Sequence, residues 1–226
     1  MAANLACDEA LLDACEEGGG EVLRFWETRD CFVVTGYANQ IQREVNIEAC
    51  RQKNIPILRR CSGGGTVLQG PGCLNYSLIL NFDDQGPLRN ISSTNRYVME
   101  RNKAAVESIL KCPVSVRGHT DLAMGDLKFS GNAQRRKRRA LIFHGTFLLN
   151  FDISLIEQFL SMPSKEPDYR QSRPHAAFLT NLNLTSDALK TSLKKVWNTT
   201  ECLTNTPNIQ GLMDEKYSRK EWHEKF

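Results

Sequence analysis

The amino-acid sequence predicts an α/β protein, built on a mixed, mainly antiparallel sheet with helices packed against it. Two short apolar runs, Glu21–Trp26 and Cys31–Tyr37, are separated by a Glu-Thr-Arg-Asp turn, which is typical of an antiparallel hairpin. Residues Thr94–Lys111 carry apolar side chains at the 3.6-residue period of an amphipathic helix. A chain of 226 residues is long enough to bury a substantial core, and we expect a single domain over residues 1–226.

Capping and turn residues place the other elements. The glycine run at 18–20 ends a first helix, Asn46 can cap a second, and the Gly125-Asp126 turn predicts a hairpin. The expected helices are 4–16, 45–53, 94–111, 153–160 and 186–197, with about 186–226 as a helical C-terminal tail. The expected strands are 21–26, 31–37, 56–58, 66–68, the apolar run that ends at 82, 114–117, 122–124, 127–130 and 141–151.

Composition excludes several classes of function. The formal charge of +3 is too small to predict nucleic-acid binding. No apolar run approaches the roughly 18–20 residues of a membrane helix, and Asp8 and Glu9 occupy the place where a secretory signal would be hydrophobic. We therefore expect a cytoplasmic protein with no membrane partner. The eight cysteines never form a CxxC pair, so no zinc site, redox motif or other metal site is identified.

The stretch around the three glycines at 63–65 is the most informative. Glycine lets the backbone approach a bound group closely, and Arg59, Arg60 and Ser62 could supply hydrogen bonds to carboxylate or phosphate oxygens. The glycines lead into the strand-like run 66–68 and not into a helix, which excludes a P-loop and a dinucleotide fingerprint. From these residues alone, an anion-binding loop and an ordinary glycine turn both stay open.

Three ordered blocks resemble one known family. They are RRCSGGGTV with GPGCLNYSLI at 59–79, RGHTDLAMGDLKFSGNAQRR at 117–136 and FHGTFLLNFD at 143–152. These blocks are similar to the signature of the lipoate-protein ligase and octanoyltransferase superfamily. The resemblance runs from NLACDEALL at 4–12 to about residue 185. It implies the catalytic fold that this superfamily shares with biotin-protein ligases.

The resemblance also implies roles for individual residues. Lys128 is implied to contact the acyl carboxylate and the α-phosphate of ATP, and a fixed ammonium would stabilise the charge where these two anions meet. The residues implied to bind carboxylate, phosphate and nucleotide are Arg60, Ser62, Gly63, Gly64, Gly65, Thr66, Asp121, His144, Gly145 and Thr146. Candidates for the acyl pocket are Trp26, Gly36, Tyr37 and Cys73.

The implied activity is that of a lipoate-protein ligase. Such an enzyme activates lipoate or octanoate with ATP as an acyl-AMP and passes the acyl group to a lysine of a lipoyl-type acceptor protein. Mg²⁺ is inferred from the ATP chemistry and not from a ligand cluster. The chain carries Gln69-Gly70 where many ligases carry His-Asp, which leaves the preference between lipoate and octanoate open.

Two alternatives stay open. An octanoyltransferase takes octanoyl from acyl carrier protein through a cysteine thioester. In one branch of the superfamily that cysteine follows the HGT strand, where this chain has Ser161-Met162-Pro163. In another branch it precedes the lysine, and Cys112 lies close to that place. The second alternative is a non-catalytic subunit that binds an acyl-nucleotide or a carrier.

Two further expectations concern partners. The resemblance implies a catalytic domain without the accessory domain that several ligases append, so a separate accessory-domain polypeptide is an expected partner. The basic run Arg135–Arg139 is expected to be a solvated loop, or a surface for an acidic acceptor or for nucleotide phosphates. Binding of nucleic acid is not expected, because no aromatic residues are interleaved with this run.

Overall fold

The computed structural model describes residues 1–226, with nine strands in two sheets and helices packed on them. The strands are β1 (Val22–Trp26), β2 (Phe32–Thr35), β3 (Ile57–Arg59), β4 (Val67–Gln69), β5 (Cys73–Asn81), β6 (Ser115–Arg117), β7 (Asp121–Met124), β8 (Leu127–Arg136) and β9 (Ala140–Leu148). The helices are α1 (Ala2–Glu16), α2 (Ile41–Glu44), α3 (Ile47–Gln52), α4 (Ile91–Leu110), α5 (Ser154–Phe159), α6 (His175–Phe178), α7 (Ser186–Val196), α8 (Gln210–Leu212) and α9 (Lys220–His223). A 3₁₀ turn spans Asp168–Arg170 and a π-helical turn spans Met213–Tyr217.

The two sheets differ in size and in strand direction. The larger sheet has the order β1-β5-β9-β8-β7-β6, and all neighbouring strands in it are antiparallel. In the smaller sheet β2 lies between β3, which is parallel to it, and β4, which is antiparallel. The predicted fold class, a mixed and mainly antiparallel sheet flanked by helices, is confirmed.

The predicted hairpin between the first two strands is wrong. β1 pairs with β5, from Val22 opposite Ile79 to Trp26 opposite Asn75, whereas β2 belongs to the smaller sheet. All four residues of β2 are buried, and its two faces pack into separate apolar clusters. A strand that is apolar on both faces is stable only where both faces are covered, and the position between β3 and β4 provides this cover.

Each face of the larger sheet has its own cover. On one face Tyr76, Phe143 and Phe147 pack into a core together with α4 and α7. On the other face α1 covers Ile79 and Ile142. Burial of such side chains stabilises the fold by roughly 1.5–3 kcal/mol each. Beyond α1, the second face is turned toward the smaller sheet, and the candidate site lies there.

Several local predictions are confirmed. The side chain of Asn46 accepts a hydrogen bond from Ala49 N–H at 3.2 Å and caps α3. The strands β7 and β8 pair across the Gly125-Asp126 turn. The long helix α4 begins earlier than predicted, because Asn90 and Ser93 form a reciprocal capping box at its start.

The basic run is not a solvated loop along its whole length. Arg135 and Arg136 belong to β8, and only Arg138 and Arg139 are exposed. Arg135 Nη1 lies 3.0 Å from the buried Glu9 carboxylate, and the Arg136 guanidinium lies 3.8 Å from the centre of the Phe82 ring. Both residues lie in the sheet because β8 pairs with β9 along this stretch. Arg135 contacts an anionic side chain and Arg136 contacts an aromatic ring.

The C-terminal segment packs on the start of the glycine stretch. His223 Nδ1 accepts a hydrogen bond from Arg59 N–H at 2.9 Å, and Trp222 Nε1–H donates to Arg59 O at the same distance. Lys216 and Tyr217 both hydrogen-bond the Glu9 carboxylate on α1. None of the helices combines the length and the apolar character that crossing a membrane requires.

Candidate functional site

A cavity of about 870 Å³ lies between the two sheets. Its floor is a row of residues in register across the larger sheet: Trp26 on β1, Asn75 on β5, Thr146 on β9 and Gly131 on β8. Because neighbouring strands lie about 4.8 Å apart, this row is roughly 14 Å long. Its roof is the glycine loop, residues 60–66, and its open side is covered by residues 161–174, which we call the covering segment.

The two ends of the cavity differ in chemistry. Around Trp26 the lining is apolar and includes Leu5, Val34 and Val67, and further along one flank it includes Leu148, Ile156, Leu160 and Leu179. The other end is charged, and the residues that line it are Asp121, Lys128, Lys165, Glu166, Asp168, Arg170 and His175. An elongated ligand with an apolar tail and an anionic head matches this division.

Lys128 and Asp121 form the centre of the charged end. Lys128 Nζ lies 2.8 Å from Asp121 Oδ1, and Tyr169 donates its hydroxyl to Asp121 Oδ2 at 2.8 Å. Burial, together with the Asp121 charge, raises the pKa of Tyr169 well above its ordinary value, so this hydroxyl is a donor and not an anion. A Cβ on Gly131 would lie 2.9 Å from Lys128 Nζ, so the lysine side chain uses the space that this glycine leaves.

The glycine loop is built around Arg60, whose guanidinium binds the loop's own carbonyl groups. Its Nη2 donates to Gly63 O at 2.6 Å and to Gly65 O at 2.8 Å, and its Nε donates to Ser62 Oγ at 3.1 Å. The N–H groups of the three glycines have no hydrogen-bond partner within the protein. Free N–H groups beside a buried cation form a setting that attracts an anion. Burial lowers the pKa of Arg60 to about 10, which leaves it charged at neutral pH.

His144 ties the loop to the floor. Its Nε2 lies 2.5 Å from Ser62 Oγ, and its Nδ1 lies 3.7 Å from the Asp8 carboxylate, which is itself paired with Arg24 at 2.6 Å. Serine, histidine and aspartate thus occur in the order of a nucleophilic triad. However, Ser62 is only 1% exposed and is absent from the cavity wall, so this arrangement fixes the loop in place and presents no nucleophile.

Thr146 continues a chain of hydrogen bonds that the sequence did not predict. Gln69 Nε2–H donates to Thr146 Oγ1 at 2.7 Å, and Thr146 donates to Asn75 Oδ1 at 2.7 Å. Gln69 and Asn75 both line the cavity. Asn75 lies in the LNY run that follows the second glycine turn, so the sequence placed it near the candidate site. An asparagine on a strand does not indicate a function until its neighbours in space are known.

Gly145 is needed on the opposite face of the floor. A Cβ there would lie 1.8 Å from Asn132 Oδ1, which accepts a hydrogen bond from the Tyr76 hydroxyl at 2.6 Å. Asn102 donates to that same hydroxyl at 2.8 Å, and Trp197 donates to Asn102 at 2.9 Å. A buried polar chain therefore supports the floor from the side of α4 and α7.

The structure brings most of the predicted site residues together. The predicted residues that line the cavity are Trp26, Arg60, Gly64, Gly65, Thr66, Asp121, Lys128, His144, Gly145 and Thr146. The predicted residues outside the wall are Gly36, Tyr37, Ser62, Gly63 and Cys73.

Three candidates for the acyl pocket lie outside the cavity for different reasons. Gly36 supports the roof from behind, since a Cβ there would lie 2.2 Å from Gly64 O. Tyr37 packs against the rings of Trp222 and Phe226, outside the cavity. Cys73 is fully buried in the cluster under β4, and burial raises its pKa to about 12.

Arg59 is also placed differently from the expectation that it binds an anion. Its guanidinium donates to Gly36 O, Tyr37 O and Asn39 O at 2.8–3.0 Å and to His223 O at 3.0 Å, and the residue is completely buried. Each of its three guanidinium nitrogen atoms donates inside the protein. Arg59 is therefore a structural support of the roof.

Sequence comparison links the chain to known proteins. A family model described as the lipoyl protein ligase A/B catalytic domain matches residues 1–198. A candidate lipoate-protein ligase A from Aeropyrum pernix is 32% identical over 159 residues, which cover 70% of this chain but only 57% of that protein. Lipoate-protein ligase A subunit 1 from Thermoplasma acidophilum is 24% identical, covering 97% of this chain and 90% of its own length. Octanoyltransferase LipM from Clostridioides difficile is 26% identical, covering 75% and 69%.

Solved structures share the fold. A Thermoplasma acidophilum protein with bound lipoic acid superimposes with a TM-score of 0.84 at 22% identity, covering 100% of this chain and 94% of that one. A bipartite lipoate protein ligase with its E2 lipoyl domain, from the same organism, gives 0.83 at 23% identity, covering 99% and 91%. A lipoate-protein ligase A bound with ATP gives 0.81 at 25% identity, covering 97% and 92%. By the match over residues 1–198 and by its fold, the chain belongs to the lipoyl protein ligase A/B catalytic domain family.

Proposed function

We propose that the protein is an ATP-dependent lipoate-protein ligase. It activates lipoate or octanoate as an acyl-AMP and transfers the acyl group to a lysine of a lipoyl-type acceptor protein. The proposal rests on one observation above all: the ammonium group of Lys128 lies in a cavity that has an apolar end and a roof of free backbone N–H groups. The solved relatives that contain lipoic acid and ATP support the choice of ligands.

In the proposed first step, Lys128 holds two anions together. Its ammonium group, now paired with Asp121, moves to the acyl carboxylate and the α-phosphate of ATP, whose approach it makes less repulsive. A carboxylate oxygen attacks the α-phosphorus, the bond from that phosphorus to the bridging oxygen breaks, and pyrophosphate leaves. The glycine loop binds phosphate oxygens through its N–H groups, and the apolar end holds the acyl chain.

In the proposed second step, the acceptor lysine attacks the acyl carbonyl carbon through its neutral amine. The bond between that carbon and the phosphate oxygen breaks, AMP leaves, and the amine proton passes to solvent. Asp121, His144 and Thr146 keep the nucleotide in position during this exchange. Nothing in this step requires a nucleophile from the protein.

Magnesium would enter with the ATP phosphates. Mg²⁺ binds one or two carboxylates together with substrate phosphates and water, and the carboxylates at the charged end are Asp121, Glu166 and Asp168. No group of three or more His, Cys, Asp and Glu residues is placed to hold a metal ion without a nucleotide. These oxygen donors suit an ion carried by the nucleotide, which would neutralise phosphate charge.

Partners and organisation belong to the same proposal. The bipartite Thermoplasma ligase and its E2 lipoyl domain support a lipoyl-domain acceptor and a separate accessory polypeptide. We propose that residues 1–226 form one catalytic domain that acts in the cytoplasm.

Octanoyl transfer is the second candidate function, because the Clostridioides difficile octanoyltransferase resembles the chain about as closely as the Thermoplasma ligase does. That chemistry needs a reactive thiolate at the cavity. No cysteine lines the cavity, and the nearest polar partner of Cys112 is the sulfur of Met124 at 4.0 Å. The placement of the cysteines therefore favours the ligase.

The test is exchange of labelled pyrophosphate into ATP, measured with lipoate and with octanoate. The intact chain is expected to catalyse acid-dependent exchange, and Lys128→Ala is expected to lose it by about 100-fold or more, the usual cost of a group that stabilises transition-state charge. The matched control is Lys53→Ala, which removes an exposed lysine directly after α3 and outside the cavity wall and should leave exchange unchanged.

Failure of the intact chain to exchange with either acid, also in the presence of the accessory polypeptide, would contradict the ligase proposal. Octanoyl transfer from acyl carrier protein would then be assayed with Cys112→Ser. Loss of that transfer in the cysteine variant would assign the chain to the transferases.

A further inference from the structure

Glu44 is a buried carboxylate with an unusual set of partners. It ends α2 and is only 6% exposed, yet it forms no ion pair. Three neutral donors bind it: Asn39 Nδ2 at 2.6 Å, Thr66 Oγ1 at 2.5 Å and Ser164 Oγ at 2.5 Å. A buried carboxylate that has no ion-pair contact is costly unless it accepts several hydrogen bonds, so these three contacts together stabilise the charge of Glu44.

The donors come from separate parts of the cavity wall. Thr66 ends the glycine loop, and Ser164 lies in the covering segment between Pro163 and Lys165, which both line the cavity. Ser161 N–H also donates to the backbone carbonyl of Glu44, at 3.1 Å. Glu44 is thus the residue at which the roof and the covering segment meet.

We propose that Glu44 is a positioning residue that joins the glycine loop to the covering segment and so keeps water out of the cavity while the acyl-adenylate waits for its acceptor. This inference rests on the proposed function and deepens it. Oε2 of the carboxylate accepts from Thr66 and Asn39, and Oε1 accepts from Ser164, so each segment that leaves removes one of the three hydrogen bonds that stabilise the buried charge. The same carboxylate therefore favours the closed position of both segments.

Water exclusion matters because the activated acyl group has two possible acceptors. Attack of water on the acyl carbon breaks the same carbon–oxygen bond as attack by the lysine, releases the same AMP, returns the free acid and passes a proton to solvent. The energy of ATP is then lost. A wall that stays closed until the acceptor arrives suppresses this side reaction.

The test variant is Glu44→Gln, which keeps the size of the side chain but replaces one acceptor oxygen by a donor. AMP released and acceptor acylated are measured in the same reaction. The intact chain should form the two in about equal amounts, and the variant should release about tenfold more AMP per acylated acceptor, the fold-change of losing one hydrogen bond to a charged group. Ser164→Ala should show the same direction, as it removes one donor without touching the buried carboxylate.

The matched control is Glu48→Gln, which changes an exposed acid on α3 and should leave the ratio of AMP to acylated acceptor at its original value. If both Glu44→Gln and Ser164→Ala keep that ratio while still activating the acid, the inference is overturned. A fall in thermal stability of Glu44→Gln without a change in the ratio would show that the residue only supports α2.

Hydrogen exchange separates this inference from the proposed function. In Glu44→Gln, two amides should exchange faster together: that of Tyr37, which donates to Ser62 O and so reports on the glycine loop, and that of Ser161, which donates to Glu44 O and so reports on the covering segment. The amides of β8 and β9 should keep their protection. This result is expected whether or not the chain activates an acid. Faster exchange in only one of the two segments would overturn the joint role, and absent pyrophosphate exchange by the intact chain would count against the proposed function alone.

Discussion

The floor and the roof of the cavity are held in place by different forces. On the floor, β8 and β9 pair without interruption from Ser130 opposite Phe147 to Arg136 opposite Leu141, so the backbone ladder positions Gly131 and Thr146. On the roof, residues 60–66 belong to no strand, and charged side chains support them. A floor side chain can therefore be replaced without moving the backbone, whereas a roof side chain is itself the support.

This difference explains why the two regions use their charged residues differently. On the floor, Lys128 is partly exposed in the cavity with a single carboxylate partner, so a substrate can recruit it. On the roof, Arg59 and Arg60 donate nearly all their guanidinium hydrogen bonds to backbone carbonyl groups. We therefore expect the catalytic side chain to come from the floor, and we expect the shape of the site to depend on the roof.

The strongest way to break the floor is to add a methyl group where the ladder leaves no room. Gly145→Ala places its Cβ against Asn132 Oδ1, so Asn132 has to move and abandon its hydrogen bond to Tyr76. We expect the free energy of unfolding to fall by about 4 kcal/mol, combining overpacking with an unpaired buried polar group. Denaturant unfolding measures this fall.

The matched control for that substitution is Gly20→Ala, where a Cβ would meet no atom within 4 Å. Its free energy of unfolding should stay within about 0.5 kcal/mol of the original value. An equal fall in both variants would mean that the close approach to Asn132 has no special cost.

The roof is expected to fail when its buried cation is removed. Arg59→Met keeps most of the volume but leaves the carbonyl groups of Tyr37, Asn39 and His223 without a donor. Gly36 O keeps only the Asn39 N–H. The expected fall in the free energy of unfolding is about 3 kcal/mol, because buried unpaired carbonyl groups are costly. Substrate affinity should fall as well, since the glycine loop follows directly.

Calorimetry and titration of ligand binding test this prediction together. Arg51→Met is the control, because Arg51 is exposed and pairs only with Glu48 at the surface. A variant at position 59 that binds substrate normally would show that the roof does not need this support.

The smallest expected effect is a pH dependence that concerns the roof alone. His223 Nδ1 accepts the Arg59 N–H, and burial, with the nearby Arg59 charge as a smaller cause, lowers the pKa of His223 below its ordinary value of 6.5. A histidine with a lowered pKa stabilises the fold fully above pH 6.5, and this stabilisation is lost as the pH falls from there toward the lowered pKa. The loss should be on the order of 1 kcal/mol.

Unfolding curves between pH 7.5 and about pH 5 measure this loss, since the window lies just below an ordinary histidine pKa. In His223→Asn, the amide oxygen can accept the same hydrogen bond without titrating, so the variant should lose less stability over that window.

His175 is the second histidine whose pKa is lowered, mainly by burial, and His175→Gln removes its contribution. A pH dependence that survives in His223→Asn and disappears in His175→Gln would assign the effect to His175 at the start of α6, whose ring contacts Ser161 O.

Much of the local structure was readable from the sequence. The period of α4, the cap of α3 and the hairpin of β7 and β8 depend on residues that are close along the chain, and all three are confirmed. The family blocks also selected residues that the fold brings to one cavity, although their ligand contacts stay predictions. Local interactions carry these features, so a single sequence is enough to indicate them.

Only the tertiary structure decided which strand pairs with β1, what the charged residues contact and how the loop is supported. Arg59 and Arg60 are adjacent and look equivalent in the sequence. In the structure Arg59 is completely buried and only supports the roof, whereas Arg60 lines the cavity. Glu44 and Thr66 are 22 residues apart, and Ser164 is 120 residues from Glu44. The sequence by itself determined most of the longer elements and the family. Long-range packing determined which charges are free to act, because burial and hydrogen bonding depend on neighbours that are distant along the chain.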